Sequence, residues 1–81
     1  MTKKDLKTFI VNALKAKNNK AKLIDICKFI WANYETELRN SGDLFFTWQY
    51  DVRWAATQLR KEGILKPVEE QQNGFWEIII E

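Results

Sequence analysis

Apolar residues recur at intervals of three and four along three stretches of the chain. The three stripes are, in order, Leu6, Phe9, Ile10, Ala13 and Leu14; Leu23, Ile26, Cys27, Ile30, Trp31 and Tyr34; and Trp48, Val52, Ala55, Ala56 and Leu59. This spacing places each stripe on one face of an α-helix. The sequence therefore predicts three amphipathic helices whose apolar faces turn to a shared core.

Capping residues predict where the first and third helices begin and end. Thr2 can cap the first helix, and the Asp5 side chain can accept a hydrogen bond from the Thr2 backbone N–H, as in a capping box. The polar turn 17–20 ends this helix. Thr47 can cap the third helix through its hydroxyl. Gly63 ends that helix, because glycine enters the left-handed conformation without a Cβ clash.

The stretch between the second helix, predicted over 23–34, and Thr47 has no helical period. Residues 40–43 read Asn-Ser-Gly-Asp, which is strong turn sequence. Apolar residues 44–46 follow and directly precede the third helix. We expect 35–46 to form an irregular loop whose last three residues tuck onto the core as a hydrophobic staple.

Strand-like sequence follows Gly63. Residues 64–68 read as a strand, which Pro67 pushes to an edge, and 75–80 read as a second strand by their β-branched and aromatic content. With a very short extended segment at 21–23, the predicted order is helix, extended segment, helix, helix and two-stranded hairpin. This order predicts an α+β fold, a winged helix-turn-helix of three helices plus a C-terminal two-stranded β-hairpin wing.

A chain of 81 residues has room for one hydrophobic core, so we expect a single domain over 1–81. The predicted core residues are Leu6, Phe9, Ile10, Leu14, Ile26, Ile30, Val52, Leu59, Leu65, Trp76 and Ile78. No apolar run approaches the ~20 residues that span a bilayer. The first residues lack the apolar segment of a secretory signal. We therefore expect a cytoplasmic protein without membrane contact.

Catalytic and metal chemistry has few candidate residues in this chain. It contains no histidine and one cysteine, which removes the commonest general base and cannot build a zinc site. Cys27 lies within the second apolar stripe, which indicates a small core residue rather than a reactive thiol. Gly42, Gly63 and Gly74 are too far apart for a phosphate-cradling loop. We expect a protein that is not an enzyme and that has no cofactor, no metal site and no small-molecule substrate.

The charges are distributed unevenly along the chain. Residues 1–31 carry eight Lys against two Asp, a net +6, and residues 32–81 carry five Lys or Arg against nine Asp or Glu, a net −4. Such asymmetry can steer a phosphate backbone toward the N-terminal half. Lysines that only keep the protein soluble would give the same pattern, so both interpretations stay open.

The third helix combines an apolar face with a polar, partly cationic flank, which suits insertion into the major groove of double-stranded DNA. Gln49 and Arg53 are predicted to read base edges, since Arg pairs with guanine and Gln with adenine. The other predicted DNA-binding residues are Thr47, Tyr50, Thr57 and Arg60 on the third helix, Lys20 and Lys22 before the second helix, and Gln72 and Asn73 in the wing. An ordinary solvated helix has the same composition.

The third helix and the hairpin also carry the motifs of a known family. The motifs are Phe46, D-V-R-W-A at 51–55, L-R-K-E-G-I-L at 59–65 and G-F-W-E-I at 74–78. Together they resemble the N-terminal winged-helix domain of Mrr-type restriction endonucleases, and Ser41-Gly42 matches that domain's pre-helix loop. The resemblance spans nearly the whole chain. It implies a DNA-binding domain of bacterial or phage restriction-modification, which in that family accompanies a separate nuclease domain.

Two positions depart from the family pattern. Asn73 stands where the family usually has a basic residue before the wing glycine, and Asp51 stands where it often has Asn. Glu69 and Glu70 also make the wing acidic. Because a carboxylate near DNA is repelled, these changes weaken the predicted contact between the wing and phosphates.

A protein-interaction or homodimerisation module on a winged-helix scaffold is the alternative prediction. Trp54 lies opposite the apolar face of the third helix. It either packs under the hairpin against Trp76 or Ile78, or it is an exposed anchor for a partner. Phe75 and Ile79, on the second face of the last strand, raise the same question, because exposed apolar patches usually mark contacts.

Overall fold

Three helices and a two-stranded antiparallel sheet make up the described part of the chain. The structure, a computed structural model, describes residues 2–67, 69 and 74–79. Its helices and strands are, in chain order, α1 (Asp5–Ala16), β1 (Lys20–Lys22), α2 (Leu23–Arg39), α3 (Leu44–Lys61) and β2 (Phe75–Glu77). The predicted α+β class is confirmed, and the layout is compatible with a winged helix.

The hydrophobic core lies where the three helices meet one face of the sheet. Its buried residues are Leu6, Phe9, Ile10, Ala13, Leu14, Ala21, Ile26, Ile30, Leu38, Trp48, Val52, Ala55, Ala56, Leu59, Leu65 and Trp76. Every predicted core residue is buried except Ile78, which is half-buried because it lies just beyond the end of β2. Ala21 and Leu38 belong to the core although the sequence did not predict them there.

The C-terminal part of α2 differs from the predicted loop. The helix continues to Arg39, and Tyr34 has non-helical angles, φ −128° and ψ 19°, that mark a kink. A straight helix would carry Leu38 about 80° around the axis from Ile30. After the kink the Leu38 side chain is fully buried in the core. The predicted irregular loop over 35–46 is therefore wrong, and residues 40–43 alone connect α2 to α3.

The start of α3 also differs from the prediction. Because α3 begins at Leu44, Thr47 lies inside the helix rather than at its N-cap. The Thr47 hydroxyl bonds to Asp51 Oδ2 at 2.8 Å. Of the predicted staple, Leu44 and Phe45 pack half-buried against the core, whereas Phe46 is 83% exposed. The staple prediction is thus confirmed for two residues and wrong for Phe46.

Two other predicted helix ends can be compared with the structure. The end of α3 is confirmed, because Gly63 has φ +78° and the Ile64 N–H donates to Leu59 O at 2.9 Å. At the start of α1 the predicted cap is wrong, because α1 begins at Asp5, its N-cap is Lys4 and no side chain caps it. The Thr2 backbone N–H still donates to Asp5 Oδ2 at 3.0 Å, the return bond that the sequence predicted.

The sheet pairs β1 with β2, whereas the sequence predicted a hairpin between 64–68 and 75–80. The register sets Lys20 opposite Glu77, Ala21 opposite Trp76 and Lys22 opposite Phe75. Segment 64–66 joins the other edge of β2: the Lys66 N–H donates to Glu77 O and the Ile79 N–H to Ile64 O, each at 2.9 Å, and Leu65 bridges Ile78. The first predicted strand is thus reduced to a bridge. Proline fixes φ at about −65°, far from the roughly −140° of an antiparallel strand, so Pro67 does not favour a longer strand. The last residue of each predicted strand lies outside the described residues.

An ion pair joins segment 64–66 to β2. Lys66 Nζ lies 2.9 Å from Glu77 Oε2, and this hydrogen bond lowers the pKa of Glu77. A lowered carboxyl pKa gives stability that is present above the unfolded-state pKa and lost as the pH falls through the folded-state pKa. We expect Glu77→Gln to lower the melting temperature at neutral pH, and the difference from wild type to vanish at about pH 2.

Thermal melts followed by circular dichroism at the two pH values would measure this effect. Glu37→Gln is the matched control, because Glu37 is an exposed carboxylate of α2. It should melt like the wild-type protein at both pH values. A Glu77→Gln deficit of equal size at both pH values would show that ionisation of Glu77 does not stabilise the sheet.

Candidate nucleic-acid interface

The outward surface of α3 is set by the burial of its inner face. All five residues of the predicted stripe are buried, so the opposite face of the helix is turned to solvent. Gln49, Arg53 and Thr57 follow one another at intervals of four residues, and all three are exposed. This row, which we call the α3 row, has the exposure that reading base edges requires.

Arg53 lies at the centre of the α3 row, between two concave surfaces. On one side it lines a groove with Ile24 and Gln49, which also includes Leu23 and Cys27. Burial raises the pKa of the Cys27 thiol, and the nearby positive charge of Arg53 opposes this rise. The Thr57 hydroxyl donates to Arg53 O at 3.1 Å, so that side chain bonds the helix backbone. Arg53 therefore projects a cation from a rigid helix between two recesses.

On its other side Arg53 belongs to a basic surface that carries two aromatic rings. The other residues of this surface include Lys3, Tyr50, Trp54 and Lys61. The Lys3 ammonium lies 4.4 Å from the centre of the Trp54 ring. Tyr50 is 77% exposed, whereas Trp54 is half-buried. Trp54 thus packs against the core beside the start of α1, and its contact with the hairpin stays a prediction.

Lys20 and Lys22 lie on β1 and flank an aromatic side chain of β2. Their ammonium groups lie 5.0 Å and 5.5 Å from the centre of the Phe75 ring. Lys22 directly precedes Leu23, which lines the groove beside Arg53. Both ammonium groups therefore lie over β2, and their contact with phosphates stays a prediction. Phe75 is half-buried beneath the two lysines.

Arg60 has a structural role that the sequence did not predict. It is half-buried, its Nε donates to Lys66 O at 3.3 Å, and its guanidinium lies 5.8 Å from the centre of the Trp76 ring. Burial lowers the pKa of Arg60, and the charge of Glu69 opposes this shift. Arg60 thus connects α3 to the segment that leads into the wing, and its phosphate contact stays a prediction.

The remaining predicted residues are Thr47, whose hydroxyl is engaged with Asp51, and Gln72 and Asn73. Gln72 and Asn73 lie outside the described residues. Their predicted contact with DNA therefore stays a prediction.

A third recess, the α2–α3 groove, was not predicted from the sequence. Its volume is about 450 Å³, and its lining includes Ile24, Cys27, Lys28, Trp31, Phe45 and Gln49. The Trp31 ring stacks on the buried Trp48 ring at 6.2 Å and 6°, and lies 6.3 Å from the Phe45 ring. Ile24, Lys28 and Trp31 recur at intervals of four and three residues. That spacing is the sequence signal for a second, outward stripe on α2.

Clusters of metal ligands and membrane-spanning helices are both absent from the described part of the chain. There, no three His, Cys, Asp or Glu side chains come together as metal ligands. None of the described helices is both long and apolar enough to cross a bilayer. The resemblance to the Mrr-type winged-helix domain stays a prediction, since comparison of the chain with protein-family models, characterised proteins and solved structures finds no match.

Proposed function

We propose that this chain is a non-catalytic winged-helix module that binds double-stranded DNA, with α3 in the major groove. The observation that carries the proposal is the exposed α3 row with cations beside it. Arg53 belongs to the row, and Lys3 and Lys61 line the recess that Arg53 shares. The resemblance to Mrr-type domains supports the same assignment.

The α3 row has suitable chemistry for reading bases. The Arg53 guanidinium can donate two hydrogen bonds to guanine, and the Gln49 amide can pair with adenine. Each such contact is worth roughly 1–3 kcal/mol of discrimination against the wrong base. A helix fits the width of the major groove, and the residues of the α3 row project from one side of the helix. Tyr50, beside the row, can donate its hydroxyl to a phosphate oxygen.

The carboxylates near α3 do not cancel this positive surface. Asp51 accepts a hydrogen bond from the Thr47 hydroxyl within the helix. Glu62, at the end of α3, is paired with Lys7 of α1. Asp51 keeps its negative charge, but among the described residues that line the recess it stands against three cations, Lys3, Arg53 and Lys61, so the net charge there is positive. Such a field attracts the phosphate backbone and makes binding depend on salt.

A titration with a labelled random duplex tests the proposal. We expect micromolar binding at about 50 mM salt, with affinity falling as salt rises. About four phosphate contacts would weaken binding about 10²-fold between roughly 50 mM and 200 mM salt. No binding at the lower salt concentration, or an affinity that is independent of salt, would overturn the proposal.

A protein-interaction module is the second candidate, favoured by exposed apolar side chains. Phe46 and Ile24 are 83% and 59% exposed, and both lie beside the α2–α3 groove. The residues that the sequence suggested for this role, Trp54, Phe75 and Ile79, are half-buried, and lysines lie over the first two rings. A protein contact is therefore better placed at the α2–α3 groove than at those residues.

A further inference from the structure

We propose that the α2–α3 groove binds an acidic amphipathic helix of a partner protein. The apolar side chains of that helix would pack against Trp31 and Phe45, and its carboxylates would face Lys28 and Arg53. This surface overlaps the two side chains proposed to read bases, but the inference does not depend on DNA binding.

The size and lining of the groove fit apolar side chains. Its volume of about 450 Å³ accommodates a few large apolar groups, and aromatic rings form its wall. Ile24 lies within the lining, and the Phe46 ring lies 5.2 Å from the Phe45 ring. These two exposed side chains extend the apolar surface beyond the recess. A partner helix presents anchors at i, i+3, i+4 and i+7, which matches an elongated groove between two helices.

The charges of the groove determine whether it attracts an acidic or a basic partner. Lys28 lines the α2–α3 groove, and Arg53 lines the adjoining groove, which shares Ile24, Cys27 and Gln49 with it. No carboxylate is among the described residues that line either groove. Glu35, on the same side of α2, is paired with Arg39 at 2.7 Å. A partner with carboxylates beside its apolar anchors is therefore attracted, and a cationic one is repelled.

A second copy of this chain is a poor occupant on the same grounds. Two copies related by a two-fold axis present the same patch to each other. Lys28 and Arg53 of one copy would then approach the same cations of the other. Like charges across an interface are unfavourable. The charge of the groove thus points to a different, acidic protein.

Occupation of the groove would also affect DNA binding, if the proposed function holds. Gln49 lines the α2–α3 groove, and Arg53 lies at its edge. A helix seated there would cover both side chains that are proposed to read bases. The acidic partner and duplex DNA would therefore compete for the protein.

Two synthetic peptides of about 14 residues test the inference. Each has Leu at i, i+3, i+4 and i+7; the first has Glu at the flanking positions and the second has Lys. Binding is followed by tryptophan fluorescence, because Trp31 lines the groove and stacks on Trp48. We expect the Glu peptide to bind wild-type protein at least about fivefold more tightly than the Lys peptide.

A charge reversal in the groove makes the test specific. Lys28→Glu should weaken binding of the Glu peptide and strengthen binding of the Lys peptide. Ile24→Ser should weaken binding of both peptides. Lys15→Glu makes the same charge change on an exposed position of α1 and is the matched control. The inference is overturned if neither peptide binds, if wild-type protein binds both equally, or if Lys15→Glu has the same effect as Lys28→Glu. Because these titrations contain no DNA, their failure would leave the proposed DNA binding untouched.

Discussion

Replacing Leu38 by alanine should destabilise the protein by about 2–5 kcal/mol. Leu38 is fully buried and lies in the last turn of α2, beyond the kink at Tyr34. Alanine would remove the apolar side chain and leave a cavity, because surrounding side chains collapse only partly. An 81-residue protein has a total stability of roughly 4–12 kcal/mol. The substitution would therefore remove a large share of that stability.

Urea denaturation followed by circular dichroism measures this loss directly. Glu37→Ala is the matched control, because it shortens an exposed side chain in the same turn of α2. Its effect should stay within about 0.5 kcal/mol. A loss below about 1 kcal/mol for Leu38→Ala would mean that this turn does not pack into the core as the structure shows.

The helices and their inward faces were predictable because burial imposes a period on the sequence. The stripes of α1 and α3 contain five residues each, and all ten are buried. A single straight helix rotates by about 100° per residue, so its buried positions can be read from spacing alone. The end of α3 was predictable for a local reason as well, since Gly63 adopts a conformation that favours glycine.

The end of α2 was not predictable by the same method. The kink at Tyr34 changes the direction of the helix, so the spacing between Ile30 and Leu38 no longer matches a straight helix. Because the residues around Leu38 are polar, no apolar period in the sequence indicated that Leu38 is buried. The misplaced start of α3 has a related cause. Thr47 has suitable chemistry for a cap, but the apolar residues 44–46 extend the helix by one turn before it.

The sheet partner of β2 depends on contacts that are distant in sequence. Local turn chemistry around Asn73-Gly74 favours a hairpin, and segment 64–66 does contact β2 in this way. The longer pairing is made with β1, which has three residues and only one buried side chain, Ala21. A segment this short has too little alternation to predict a strand. Its role is visible only once α1 and α2 place it beside β2.

The exposure of Gln49 and Arg53 could be predicted from the position of the apolar face of α3. The residues that surround these two side chains could not. Once the inner stripe was assigned, Gln49 and Arg53 had to face solvent. The α2–α3 groove is formed by two helices at once, so no single period in the sequence predicts it. The position of Lys3 over Trp54 and the contact of Arg60 with Trp76 likewise require packing between distant segments.

Arg53→Ala should weaken binding to a duplex selected from a random pool by roughly 5- to 150-fold. The substitution removes the two hydrogen bonds proposed for guanine and one positive charge. Arg53→Lys should lie between the wild-type protein and Arg53→Ala, because lysine keeps the charge but lacks the planar, two-pronged donor. Fluorescence anisotropy with the selected duplex would measure the three dissociation constants at one fixed salt concentration.

Two comparisons separate base reading by Arg53 from changes in charge or stability. Lys15→Ala removes the same charge from an exposed position of α1, away from the α3 row, and should weaken binding much less. Arg53→Ala should leave the melting temperature unchanged, since the side chain is exposed. Val52→Ala should lower the melting temperature, because the neighbouring Val52 side chain is fully buried. Equal affinities for Arg53→Ala and wild type would rule out the proposed role of Arg53 in reading bases.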